Sequence, residues 1–260
     1  MQTRAVLVRF GGIPIALIGL LLIMAPFFGL GIDDDILSLF QRAGFGILLM
    51  GLLILFLFSV RTIPREVSTS FIVDNGRNTA RLLQGLNLHG KGVYFPPVGR
   101  LKEDRVYIPL EKHDLPLPEI SDDTVFNVGS TGPSMGISIV PPGKGLVDSV
   151  ERLTGRRFGD DDLWDAEESL QRLSKGTGMF RSVELKDRKG SIQLRIIHET
   201  EADICSGLWK EYGELHEQAG CPLCSAVLCA TSRMAMTPLR IRSAEKTPLG
   251  TEYILEKVVR

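Results

Sequence analysis

The chain has 260 residues, of which 44% are hydrophobic and 23% charged, and its formal net charge is −1. A balance so near neutral supplies no basic field to draw nucleic acid. No long run of like charges, low-complexity tract or internal repeat is present, which leaves the globular and membrane classes.

Residues 10–32 form a run of 23 without a charge, and residues 43–60 a run of 18. As helices they would reach roughly 34 Å and 27 Å, against a hydrocarbon core of about 30 Å. Asp33, Asp34 and Asp35 open the short connection that ends at Arg42, so residues 1–65 read as a two-helix transmembrane hairpin with an acidic turn. Arg4 and Arg9 precede the first span and Arg61 and Arg65 follow the second, which puts both termini of a two-pass cell-membrane protein in the cytoplasm. A cleaved signal peptide fits less well. The apolar run is long, Ala25 is followed by Pro26, and a second span comes directly behind. Gly19, Gly44, Gly46 and Gly51 admit close helix contact, within the hairpin or between copies in a homo-oligomer. Neither span holds an ionisable group of the kind that transport requires.

Residues 66–123 read as a small β-rich lobe or linker region. Asn75-Gly76 marks a turn, and Leu82, Leu83 and Leu86 predict a helix over 77–88. Prolines cut short the β-rich runs at 92–97 and 105–110, which predicts short or edge strands. Pro118, Ser121, Asp122 and Asp123 mark a boundary with a second region, 124–260. That region opens with strands at 124–128 and 136–140, and Pro141-Pro142-Gly143-Lys144-Gly145 turns the chain into a helix over 146–153. A phosphate loop would need glycine where Ser138 stands and a hydroxyl where Gly145 stands, so a Pro/Gly turn is the reading kept. Asp160, Asp161 and Asp162 open a further helix, where acids complement the dipole. A hairpin over 180–197, helices over 203–218 and 222–234, and a closing hairpin over 238–258 complete the order. The pattern is α+β with antiparallel β-hairpins.

Cys221-Pro222-Leu223-Cys224, with Cys229 beyond it, is the one constellation with chemical content. Four cysteines in a cytosolic region favour thiols or metal ligands over a disulfide framework. Gly220 ends one helix, Cys221 takes the N-cap and Pro222 the first helical position, where the dipole lowers a thiol's pKa. Three uses remain open. Cys221 and Cys224 share a helix face, and Cys205 with His216 or His198 would complete a four-ligand site suited to zinc; Cys229 lies about 80° and about 140° around the helix from the pair. The same pair could be redox-active, although it follows a helix instead of a strand. Ala226, Val227, Leu228 and Ala230 equally suit cysteines packed as small apolar residues. No nucleophile elbow, Ser-His-Asp set or H-E-x-x-H helix is present.

From residue 163 to residue 257 the order is helix, Gly176-Thr-Gly178 turn, hairpin (183–197), cysteine-bearing helix (221–230) and closing hairpin (239–255). That outline resembles the V4R, or 4-vinyl reductase, family of small-molecule-binding domains. The resemblance implies a ligand-sensing module. Residues 243–251 contain none of the cysteines that family places in its closing hairpin, so no ligand set carries over. The sequence thus predicts a membrane-anchored cytosolic domain that binds a small-molecule ligand or protein partner. A thiol- or metal-dependent enzyme using Cys221 and Cys224, and a structural membrane scaffold, are the alternatives.

Overall fold

The computed structural model describes residues 2–25, 34–58, 65–111, 117–127, 135–160, 166–177, 179–188, 190–198 and 202–258. The chain divides into two compact units, Met1–Pro64 and Arg65–Arg260. In the first, α1 (Gln2–Met24) packs antiparallel to α2 (Asp34–Phe58). Glycines set how close they come: a Cβ on Gly19 would lie 2.4 Å from the Leu48 amide nitrogen, and one on Gly51 2.5 Å from that of Ala16. Residues 34–42, predicted as a turn, are helical. Asp35 lies in the first turn of α2, where the dipole favours an acid, and Ser38 Oγ donates to its carbonyl at 2.9 Å. Among the described residues one stretch, Asp35–Phe56 within α2, is long and apolar enough to cross a membrane; the apolar part of α1 is the shorter Ile13–Met24. Residues 26–32 of the first predicted span lie outside the described residues.

The second unit is mixed α+β, built on one eight-stranded antiparallel sheet. In chain order its elements are α3 (Arg65–Gly85), β1 (Val93–Phe95), β2 (Arg105–Pro109), β3 (Phe126–Asn127), β4 (Gly136–Ile139), α4 (Lys144–Thr154) and α5 (Ala166–Thr177). There follow β5 (Phe180–Arg188), β6 (Ser191–His198), α6 (Ala202–Glu211), α7 (Gly213–Gln218), α8 (Pro222–Ala235), β7 (Leu239–Thr247) and β8 (Gly250–Lys257). The strand order is β3-β4-β2-β1-β7-β8-β6-β5, so the strands from residues 93–139 and those from 180–257 meet where Val93 pairs with Arg240 and Tyr94 with Leu239. β1 and β2 are short, as their prolines require, but they are interior and the edges are β3 and β5. Pro96 and Pro97 follow β1, and Pro109 is the last residue of β2, so none interrupts the ladder within either strand.

α8 is the central helix: every residue from Pro222 to Met234 is buried, with β1 of the sheet and α3, α4 and α5 packed against it. A helix apolar or small on all faces has no solvent side. Two of its three hydroxyls are satisfied locally, Thr231 Oγ1 donating to the Val227 carbonyl at 2.8 Å and Ser232 Oγ to that of Cys229 at 3.0 Å, while Ser225 Oγ accepts from the Tyr94 hydroxyl of β1 at 2.8 Å. Close approach explains two glycines. A Cβ on Gly76 would stand 2.8 Å from Leu208 Cδ1 and 3.2 Å from Pro222 Cδ, which is why Asn75-Gly76 sits inside α3 instead of forming the predicted turn. A Cβ on Gly143 would stand 2.1 Å from the Ala226 amide nitrogen, so the Pro/Gly turn is shaped to lie on α8. Lys144, at its end, pairs with Asp148 at 2.7 Å. Of the predicted acidic cap, Asp161 and Asp162 lie outside the described residues.

Candidate metal centre

The helix predicted over 203–218 is broken at Tyr212 (φ −140, ψ 65), giving α6 and α7. The break has a chemical result. On one continuous helix Cys205 and His216 would share a face but stand about 16 Å apart along the axis; the turn brings Cys205 Sγ to 3.4 Å from His216 Nε2. Gly220, at φ +67, then turns the chain into α8, with Cys221 at its N-cap and Pro222 in its first turn.

Cys205, His216, Cys221 and Cys224 thus meet, and their ligand atoms all lie within 4.8 Å of one another. Cys205 Sγ is 3.7 Å from Cys221 Sγ and 3.8 Å from Cys224 Sγ. Four ligands at ordinary zinc distances form a tetrahedron with S–S edges of about 3.8 Å and S–N edges of about 3.6 Å. The three separations measured from Cys205 fit that ion, and the others are bounded by 4.8 Å. Cys205 is 2% exposed and the other three 0%. Cys229 is buried further along α8 and outside the group, as its angular position predicts.

The surroundings orient the ligands. Trp209 stacks on the His216 ring with centroids 4.1 Å apart and planes at 13°. Its indole N–H donates to Thr251 Oγ1 at 3.2 Å, and with that lone pair engaged the threonine hydroxyl is free to donate to Cys205 Sγ, 3.6 Å away. The Cys224 amide donates to Cys221 Sγ at 3.4 Å. Burial pushes the Cys221 and Cys224 thiols well up, which reverses the direction expected from the N-cap position alone. Cys205 moves the other way: the Cys221 and Cys224 thiols directed at it hold it well below the ordinary value, against the effect of burial.

His198, the alternative fourth ligand in the sequence, ends β6 within interaction range of Cys205 but outside the four-atom group. Trp209, Thr251 and Tyr253 were not anticipated. The signal for two of them was the period-2 alternation of β8, which sends Thr251, Tyr253 and Leu255 to one buried face.

Fold and site together define an antiparallel α+β domain with a buried Cys₃His cluster whose ligand atoms lie within 4.8 Å of one another. The chain belongs to the family described as a domain of unknown function, DUF7982, whose model matches residues 1–200. All four clustered residues lie beyond that match. No curated protein and no solved structure matches the chain.

Proposed function

We propose that the second unit is a ligand- or partner-binding domain whose fold is locked by a structural zinc ion on Cys205, His216, Cys221 and Cys224, and that the N-terminal helices anchor it to a lipid bilayer. The convergence of four ligand atoms within 4.8 Å carries the zinc. Four protein ligands and almost complete burial leave no open position for a substrate, which suits a structural and not a catalytic ion. Cys221 and Cys224 then hold the fold together and do not serve a thiol enzyme. The V4R resemblance of residues 163–257 supports the binding role. So does a cavity of about 490 Å³ lined by Phe95, Leu101, Ile120, Met236 and Pro238, large enough for a small molecule. The span-length α2 supports a membrane anchor, and the two uncharged runs with the arginine asymmetry around 10–60 are the sequence grounds for reading it as two-pass with both ends cytoplasmic.

Metal analysis of the full chain, purified in detergent without oxidation, tests the zinc. One zinc per chain, no visible absorption and a melting temperature lowered by a strong chelator are expected. Four reactive thiols, no metal and a chelator-independent transition would refute it. Accessibility of reporters at Ile36 and Arg260 in intact cells tests the anchor: the first is expected outside and the second inside.

A further inference from the structure

Most buried polar side-chain atoms in a folded protein have partners, so those that do not call for a physical reason. Among the described residues the unpartnered ones are Arg105 Nε, Ser138 Oγ, both ring nitrogens of His198, His216 Nδ1 and the Tyr253 hydroxyl. Four of these six belong to residues around the Cys/His cluster. His198 is 7% exposed and Tyr253 0%, so water does not compensate them. His198 stands within interaction range of Cys205 and the Tyr253 hydroxyl within range of Cys224, but neither contact has the distance and alignment of a formed hydrogen bond.

The sulfur chemistry accounts for this. A thiol is a weak acceptor, and Cys205, the sulfur at which the Cys221 and Cys224 thiols are directed, already has its acceptor positions taken by them. A metal-bound thiolate is a strong acceptor that favours charge-assisted bonds. Three thiolates, a neutral imidazole and a divalent ion together carry one net negative charge, costly in a buried site unless donors surround it. We propose that His198 and Tyr253 are positioning residues for the metal centre, donating to the thiolates of Cys205 and Cys224 when the ion is bound. With the Cys224 amide on Cys221 and the Thr251 hydroxyl on Cys205, every thiolate then has a donor. The shell rests on the zinc reading above and adds to it what sets the affinity: groups beyond the ligands typically control it about ten- to a hundredfold.

The test exploits a difference between the metal-free and metal-loaded states of the full chain in detergent. Tyr253→Phe removes one oxygen and leaves no cavity. In the metal-free protein it is expected to leave stability unchanged or raised, because an unpartnered buried hydroxyl disappears. In the loaded protein it should weaken zinc about tenfold or more, read by competition with a chromophoric chelator. With cobalt as the probe, the thiolate-to-metal charge-transfer bands should shift. His198→Leu should act similarly, and His198→Gln, which keeps an N–H donor, should restore most of the affinity. Equal zinc affinities and identical cobalt spectra for wild type, Tyr253→Phe and His198→Leu would overturn the donor shell and leave the zinc site standing. A wild-type protein that takes up neither metal would overturn both.

Discussion

The two ends of α8 each carry a buried polar centre, and they differ in whether the chain satisfies it. At the C-terminal end Arg233, 8% exposed at its side chain, is held by three carboxylates. Asp104 takes it through Nε at 3.0 Å and Nη2 at 2.5 Å, Asp148 accepts from Nη2 at 2.7 Å, and Glu151 lies 2.7 Å from Nη1. Not one of those groups is left without a partner. At the N-terminal end the Cys/His cluster is ringed by unpartnered nitrogens and a hydroxyl. A buried network that satisfies itself needs nothing from solution, whereas unpartnered polar atoms beside four ligand-type side chains are what the proposed zinc site accounts for. The first reads as a clamp between α8, α4 and the loop before β2, and the second as a site.

Ligand replacement should separate the two ends most sharply. Cys221→Ser or Cys224→Ser should release the metal and cause the largest loss of stability, because binding free energy in a structural zinc site is folding free energy. A chelator that lowers the wild-type melting temperature should then leave these variants unmoved. Asp104→Ala comes next. It strips the most buried carboxylate from a buried guanidinium and should cost about 3–5 kcal/mol in denaturant unfolding. Its metal content should stay at the wild-type value, since the change lies at the other end of the helix. Cys229→Ser should cost less, about 1–3 kcal/mol, through burial of a hydroxyl in a packed helix. A loss of zinc from Cys229→Ser would mean that the cluster extends along α8.

What the sequence discloses is local. Cys221 as N-cap, Pro222 behind it and the C-x-x-C spacing are all written within four residues, and they define one helix face by geometry alone. The closing hairpin and β6 are legible because alternation with period 2 survives in isolation. Non-local features leave no such mark. Arg233 reads as an ordinary end-of-helix cation, since Asp104 and Asp148 lie 129 and 85 residues away in the chain. Gly76 mimics a turn signal because closeness to Leu208 and Pro222 and freedom of backbone both select glycine. The junction of β1 with β7 is two pairs long and binds segments almost 150 residues apart, too little for any periodicity to register. The same reason hides the break at Tyr212, without which Cys205 and His216 could not share an ion.

The smallest expected effect concerns Asp148, which touches the clamp from its wet side. Burial raises its pKa, but hydrogen bonds from Lys144 and Arg233, each at 2.7 Å, outweigh burial and hold it below the ordinary carboxylate value. A carboxyl group whose folded pKa is depressed stabilises the fold above its unfolded value, near 3.9, and the contribution disappears as pH falls through the lower folded value. The side chain is 33% exposed, so solvent screening keeps the effect modest. The stability difference between wild type and Asp148→Asn should therefore be constant above about pH 5 and shrink as pH falls below about 4. Chelation should not change that profile, because Lys144 and Arg233 are not ligands of the cluster. A difference that persists unchanged at low pH would show that Asp148 acts through shape and neutral hydrogen bonds. A profile that moves with metal content would couple the two ends of α8 and end the distinction drawn between them.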